Sequence, residues 1–282
     1  MISFDLKQFI KQALQEDVQT GDITSLACIP SENRSKAILK IKEDGILAGV
    51  ELAKSIFNYL DDSVEMNVFK PDGSYVHLGE VAFEVETGTR NLLMAERLVL
   101  NSMQRMSGIA SLCNRFLLEV SDLPVTLLDT RKTTPLNRYL EKWAVRLGGC
   151  QNYRDGLYDW FMIKDNHIAA CGSITKAIKA VNKYQKSHHL ENLGITIEVK
   201  NLVELEEVLR TGNVSRIMMD NFELPLLEEA VAMVAKKHET EASGGVSLET
   251  VRKIALSGVD FISVGALTHS AGSLDLSLKI QS

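Results

Sequence analysis

The sequence predicts an α/β protein: a TIM-like α/β barrel in the C-terminal part, preceded by a separate module of strands and helices. Three observations predict it. After residue 124, strand-type runs alternate with helical text. Those runs end in polar residues suited to chemistry. Ahead of them, residues 35–88 have a different texture, with short alternating runs punctuated by Asp-Gly and Pro-Asp-Gly turns. Strand and helix in alternation argue for parallel strands joined by helical crossovers.

The strand candidates of the C-terminal part are residues 125–129, 160–165, 194–200, 216–221, 240–245 and 260–267. Helical text fills residues 174–186, 202–210, 225–237 and 248–256. The strands finish in Arg131/Lys132, Lys164/Asp165, Glu198/Lys200, Asp220/Asn221, Glu241/Ser243 and Ser263/Gly265. A barrel places such a ring of polar residues around its mouth, whereas a doubly wound sheet concentrates its site at one switch point. The ring therefore favours the barrel.

In the N-terminal part, residues 1–18 form an amphipathic helix, ended by the turn-rich QTGDITS of residues 19–25, where Thr20, Asp22 and Thr24 act as local caps. Strands follow over residues 35–88, with one helix near residues 51–60. Residues 91–120 are a long helical text with a wide apolar face and an expected break near Ser107-Gly108. Arg97 on it carries the default reading of a snorkelling side chain, and spacing alone does not separate Arg105 from that reading.

Composition narrows the function. A chain of 282 residues with 45% apolar content allows one large domain or two moderate ones. A net charge of -6 gives no general footprint for nucleic acid or an anionic membrane, so any basic cluster is local. Cys28, Cys113, Cys150 and Cys171 show no CxxC or Cys/His metal spacing, which suits thiols in a reducing cytosol. No run is long and apolar enough to span a bilayer, and the charged first helix is unlike a secretory signal. The expected setting is cytoplasmic.

The local basic cluster lies in residues 129–168. VTLLD breaks directly into Thr130, Arg131 and Lys132, and FMI breaks into Lys164, Asp165, Asn166 and His167. Arg138, Lys142, Arg146 and Arg154 lie between, with a Gly148-Gly149 turn. Cations at strand ends and glycine turns point to an anion-binding wall. Glu141 and Lys142, in helical text, are expected to be solvated, with Trp143 packed.

Two late segments, ASGGVS (242–247) and SVGALTHS (263–270), have the small residues that let backbone N–H groups approach phosphate. His269 can bond that phosphate or cap a helix. Glu198 and Asp220 end neighbouring strands, where their carboxylates can hold magnesium or pair with Lys200 or Lys164. His77, His188, His189 and His238 are expected to be exposed or structural. No Cys/His dyad, GxSxG elbow or dinucleotide fingerprint competes. The residues add up to a substrate with several negative charges, such as a sugar phosphate bearing a magnesium-bound diphosphate.

At this point the chain resembles the quinolinate phosphoribosyltransferase family, also called carboxylating nicotinate-nucleotide pyrophosphorylases. The resemblance rests on EDVQTGDIT (16–24), AERLVLNSMQRMSGIAS (95–111), DTRKTTP (129–135), EKWAVRLGG (141–149), NYRDGLYD (152–159), IKDNHI (163–168), MDNF (219–222), EASGGV (241–246) and SVGALTHS. It implies an N-terminal α/β sandwich over residues 1–112 with its linking helix, an open six-stranded barrel over 113–274, and a segment 275–282 returning to the first domain. It implies a homodimer, or a higher oligomer, with shared sites, Arg105 being donated from the neighbouring subunit.

By the same resemblance, Thr130, Arg131, Lys132, Tyr153, Arg154 and Lys164 bind quinolinate and the diphosphate of phosphoribosyl pyrophosphate. Glu198 and Asp220 take magnesium and the ribose hydroxyls, and Ser243, Gly244, Gly265 and His269 face the 5-phosphate. Lys132, Lys164, Glu198 and Asp220 are the expected catalytic residues. Three departures stand out: Tyr153 where most members have histidine, Leu136-Asn137 in place of a glycine-containing step, and Thr196 for the first glutamate of an E-x-E pair. The implied activity is phosphoribosyl transfer to quinolinate with decarboxylation. The alternatives are a paralogue with another acceptor, similar to the protein associated with molybdate-transport operons, and a non-catalytic sensor of phosphoribosyl pyrophosphate.

Overall fold

The structure is a computed structural model describing residues 4–281. It divides into two compact units, one built from the chain up to residue 114, residues 134–149 and the chain from 270 onward, the other from residues 115–133 and 150–269.

In the first unit, α1 (Leu6–Val18) starts where the Asp5 carboxylate accepts the Gln8 N–H, and it buries Ile10 and Leu14. Residues 1–3, which the sequence reading placed in this helix, lie outside the described residues. Asp22 accepts the N–H groups of Thr24 and Ser25, so its cap role holds, and it opens a short helix, α2 (Ile23–Cys28), absent from the sequence expectation. Next come β1 (Arg34–Ile41), β2 (Gly45–Ile46), α3 (Val50–Leu60), β3 (Glu65–Val68), β4 (Tyr75–Val76) and β5 (Val81–Gly88). β1 alternates outward and buried residues, with Ala37, Leu39 and Ile41 at 0% exposure. It pairs antiparallel with β5, which pairs with β3, while β2 and β4 make a separate ribbon.

α4 (Thr89–Glu119) runs through Ser107-Gly108 without the expected break. Packing selected those small residues. A Cβ at Gly108 would lie 2.0 Å from the Gly272 carbonyl oxygen, and the buried Ser107 hydroxyl both accepts the Ala48 N–H and donates to the Ala48 carbonyl.

β6 (Thr126–Leu128) belongs to the second unit, and α5 (Arg138–Leu147) returns to the first. Glu141 and Lys142 of α5 are 0% and 1% exposed, against the expectation of solvated charge. The Glu141 carboxylate takes Arg105 Nε and Nη2 at 3.2 and 3.0 Å and the Thr134 hydroxyl at 2.8 Å. Arg105 is correspondingly an ion-pair partner and not a snorkelling surface cation.

Just before α5, Leu136 is 97% exposed with φ +64°, a left-handed conformation that explains why a glycine would suit the step. Leu136→Gly is expected to raise stability by about 0.5–1 kcal/mol, because roughly 1–2 kcal/mol of backbone strain outweighs the added freedom of the unfolded chain. Urea denaturation checks it, and a loss of stability refutes it.

The second unit continues with β7 (Phe161–Ile163), α6 (Asp165–Cys171), α7 (Ile174–His188), β8 (Ile195–Val199), α8 (Leu202–Thr211), β9 (Arg216–Asp220), α9 (Leu224–Val234), β10 (Glu239–Ser243), α10 (Leu248–Leu256), β11 (Phe261–Ser263) and α11 (Ala266–His269). Its strands lie in the order β6-β11-β10-β9-β8-β7, every pair parallel. β6 and β7 are therefore the two edges of the sheet and the barrel is open, with Leu128 of β6 bridging Gln151 on the segment ahead of β7. The last strand stops at Ser263, where the sequence expectation carried it to residue 267, and α11 follows. In the first unit β12 (Leu276–Ile280) pairs antiparallel with β1. Among the described residues no helix is long and apolar enough to cross a membrane.

Candidate active site

The C-terminal ends of the barrel strands surround a cavity of about 870 Å³. Every residue that the family resemblance assigned to the site lines it except Arg105, whereas Arg138, Lys142 and Arg146 of the basic cluster lie on α5 in the other unit and do not line it. Arg105 stands in the other unit, where besides Glu141 it donates to the Ala271 carbonyl.

One wall is cationic. Thr130, Arg131 and Lys132 leave β6 in a turn held by Lys132 N–H to the Thr130 hydroxyl at 3.1 Å and by the Thr268 hydroxyl to the Lys132 carbonyl at 2.7 Å. Arg131 Nε is buried without a hydrogen-bond partner. An orphan donor of this kind on a cavity wall is costly unless something binds it. Arg154, on the loop before β7, donates to the Trp160 carbonyl at 3.3 Å. Burial, and then the neighbouring Arg131 charge, hold its pKa below the usual guanidinium range. The opposite charge of an anion lying between the two side chains would offset both.

The floor carries the carboxylates. Lys164 ends β7 and caps α6, its N–H donating to His167 Nδ1 at 3.0 Å, while its ammonium is ion-paired with Glu198 of β8. Lys200 pairs instead with Asp165 at 2.9 Å, which lowers the Asp165 pKa. Of the two cations considered for Glu198, the structure selects Lys164. Asp220, at the end of β9, accepts from Asn221 Nδ2 at 3.0 Å.

The third wall is made by glycine turns after β10 and β11. Gly244 has φ +97°, and a Cβ there would fall 2.1 Å from Asn221 Oδ1. At Gly265 a Cβ would meet Lys132 Cδ at 3.0 Å and His269 Nε2 at 3.1 Å, so that glycine lets a cation and an imidazole close over one strand end. Ser243 and Gly244 face the same space.

Sequence reasoning missed several lining residues. Leu157, Met162, Met218 and Val246 give the cavity apolar ground, and Asn221, at φ +57°, wedges against Gly244. Strand methionines carry no signal of a site; the Asp-Asn pair at a strand end did, as Asn tolerates the left-handed region. Two departures from the family pattern prove to be in contact, the Tyr153 phenol oxygen lying 2.6 Å from Thr196 Oγ1. Burial, reinforced by Glu241, pushes the Tyr153 phenol above its ordinary pKa.

A mouth of parallel strands with a two-guanidinium wall, paired carboxylates and glycine turns defines an α/β-barrel site for a polyanionic substrate. The quinolinate phosphoribosyl transferase C-terminal domain family matches residues 109–279 and its N-terminal counterpart matches residues 22–107. The chain is 46% identical over 293 residues to the chloroplastic carboxylating nicotinate-nucleotide pyrophosphorylase of Arabidopsis thaliana, covering 99% of this chain and 83% of that protein. It is 41% identical over 280 residues to the probable carboxylating nicotinate-nucleotide pyrophosphorylase of Bacillus subtilis, covering 99% and 95%. The structure superposes on the nicotinate-nucleotide pyrophosphorylase of Francisella tularensis with a TM-score of 0.91 at 36% identity, covering 98% of this chain and 96% of that one. The chain belongs to the quinolinate phosphoribosyltransferase family.

Proposed function

We propose that the chain transfers the phosphoribosyl group of phosphoribosyl pyrophosphate to quinolinate, giving nicotinate mononucleotide, diphosphate and carbon dioxide in NAD biosynthesis. The observation that carries the reading is the convergence of Arg131, Lys132, Arg154 and Lys164 with Glu198 and Asp220 on one cavity, in a chain of this family. The orphan Arg131 Nε supports an anion as the occupant.

Arg131 and Arg154 hold the carboxylates of the acid, and Lys132 faces the diphosphate together with Lys164. Ser243, Gly244, Gly265 and His269 take the 5-phosphate. Ribose C1 loses diphosphate through an oxocarbenium-like transition state, and the C1–N bond forms from the pyridine nitrogen lone pair. The 2-carboxylate then leaves as carbon dioxide and a proton takes its place. The protein contributes orientation and charge neutralisation fixed in advance.

The donor set fits magnesium: Glu198 and Asp220 both offer hard oxygen ligands to the cavity, and this ion commonly uses one or two carboxylates with waters and substrate phosphates. Bound there, the ion would neutralise the leaving diphosphate. Lys164 would then be released from Glu198 toward the substrate.

A homodimer with shared sites is part of this reading, because Arg105 matches the family arginine donated from the neighbouring subunit. Arg105→Ala and Lys132→Ala proteins, each inactive alone, are expected to regain activity when subunits are exchanged. No rescue after proven exchange refutes the shared site. Exposed thiols at Cys28 and Cys171 support a reducing, cytoplasmic setting.

The function is tested by incubating the purified protein with magnesium, phosphoribosyl pyrophosphate and quinolinate. Nicotinate mononucleotide and carbon dioxide should appear in equal amounts. Binding of phosphoribosyl pyrophosphate without either product would favour the paralogue or the sensor.

A further inference from the structure

Thr196 lies on β8 at 0% exposure and does not line the cavity, yet its hydroxyl joins two residues that shape the cationic wall. Trp160 Nε1 donates to Thr196 Oγ1 at 2.9 Å, and the Tyr153 hydroxyl lies 2.6 Å from the same atom. The indole is wedged over Gly194, where a Cβ would sit 2.1 Å from the Trp160 ring. The carbonyl of Trp160 is the acceptor for Arg154 Nη1. Fixing the indole therefore fixes the backbone group that aims the guanidinium.

Donor and acceptor bookkeeping gives the chain of hydrogen bonds a direction. An indole N–H only donates, so Thr196 accepts from Trp160 and has its own proton to give. At the other end, the Tyr153 hydroxyl bonds the carboxylate of Glu241, which also accepts from the Ser263 hydroxyl at 2.5 Å and from Arg216 Nη1 at 3.3 Å. Tyr153 therefore donates to Glu241 and accepts from Thr196. The order is Trp160 to Thr196 to Tyr153 to Glu241, each hydroxyl using its one proton inward. The phenol hydrogen is committed beneath the wall and is not offered to an anion. Tyr153 lines the cavity with its ring set edge-on to Trp160, centroids 6.1 Å apart, and its backbone N–H is held by the Asp129 carboxylate at 2.9 Å.

We infer that Thr196 is a positioning residue for recognition of the acid substrate, acting through Trp160 on Arg154 and through Tyr153 on the adjoining wall. The inference rests on the transferase reading and assigns the acid's binding energy to Arg131 and Arg154, with no hydrogen bond from Tyr153. Toward the phosphate turns the same network runs one link further, through Tyr153 to Glu241 and Ser263, so the stronger influence falls on the acid substrate.

Three proteins decide it: the wild type, Thr196→Ser, which keeps the hydroxyl, and Thr196→Val, which keeps the shape and removes it. Thr196→Val is expected to raise KM for quinolinate about tenfold or more, as small misplacements of substrate-positioning groups do. KM for phosphoribosyl pyrophosphate and kcat should stay within about twofold, and Thr196→Ser should restore the wild-type KM. An unchanged KM for quinolinate in Thr196→Val overturns the inference. So does a parallel rise in both KM values, or a serine variant as impaired as the valine. If Thr196→Val fails to fold, Trp160→Phe, which removes the indole donor, should give the same selective rise, and a normal KM there refutes the positioning role. A wild-type protein without turnover refutes the transferase reading itself, an outcome distinct from all of these.

Discussion

Arg154→Ala is expected to lower kcat/KM for quinolinate by about 10²-fold or more, the scale at which a preorganised donor is lost, while thermal stability stays level or rises. The two halves of that expectation have one cause. Arg154 is partly buried beside Arg131, and its lowered pKa reflects desolvation first and the neighbouring guanidinium second. Both cost stability in the unliganded protein, and the opposite charge of a dicarboxylate between the two forks offsets them. Removing Arg154 takes away the repulsion along with the ligand's partner. Arg154→Lys should recover only a small part of the activity, because an ammonium lacks the planar fork that matches a carboxylate. Steady-state kinetics and a melting curve on the same samples test the pair of claims. Near-normal kcat/KM sinks the assignment of Arg154, and a collapse in melting temperature would show that the residue is structural.

What could be seen in the sequence followed what local chemistry can reveal. The strands β8, β9 and β10 are short runs interrupted by helical text, and each carries a polar residue at or next to its C-terminal end, so Glu198, Asp220 and Ser243 were visible as a ring before any contact was known. The open order of the six strands came from the family resemblance, since no local pattern says which edges pair. Short helices escaped because α2 and α11, with six and four residues, hold too little of a helical period to read. The buried state of Glu141 also escaped. Its partners, Arg105 and Thr134, lie 36 and 7 positions away, and nothing in the helical text of α5 distinguishes a charge facing water from one facing a guanidinium. The contact between Tyr153 and Thr196 spans 43 positions, so their departures from the family pattern looked independent until the fold joined them.

Glu141→Ala carries the largest expected cost in stability, about 3–5 kcal/mol, because it strips a buried partner from a charge. One carboxylate with no exposure satisfies four donors: Arg105 Nε and Nη2, the Thr134 hydroxyl and the Thr134 N–H at 3.1 Å. Alanine removes two acceptor contacts from the guanidinium, while its bond to the Ala271 carbonyl stays. Glu141→Gln should fall between, since its amide must turn a donor toward groups that are all donors. The double variant Arg105→Met/Glu141→Ala separates the pair's two jobs. If most of the cost is an unpaired charge, replacing the arginine by an apolar chain of similar length restores much of the stability lost by Glu141→Ala alone. The recovered protein should nevertheless be inactive, because the shared-site reading asks Arg105 to serve the neighbouring subunit's cavity. Chemical denaturation gives the first quantity and the coupled product assay the second. A Glu141→Ala cost under about 1 kcal/mol would show that the carboxylate is not holding a charge that matters. Full activity in the recovered double variant would leave Arg105 a structural residue and remove it from the site.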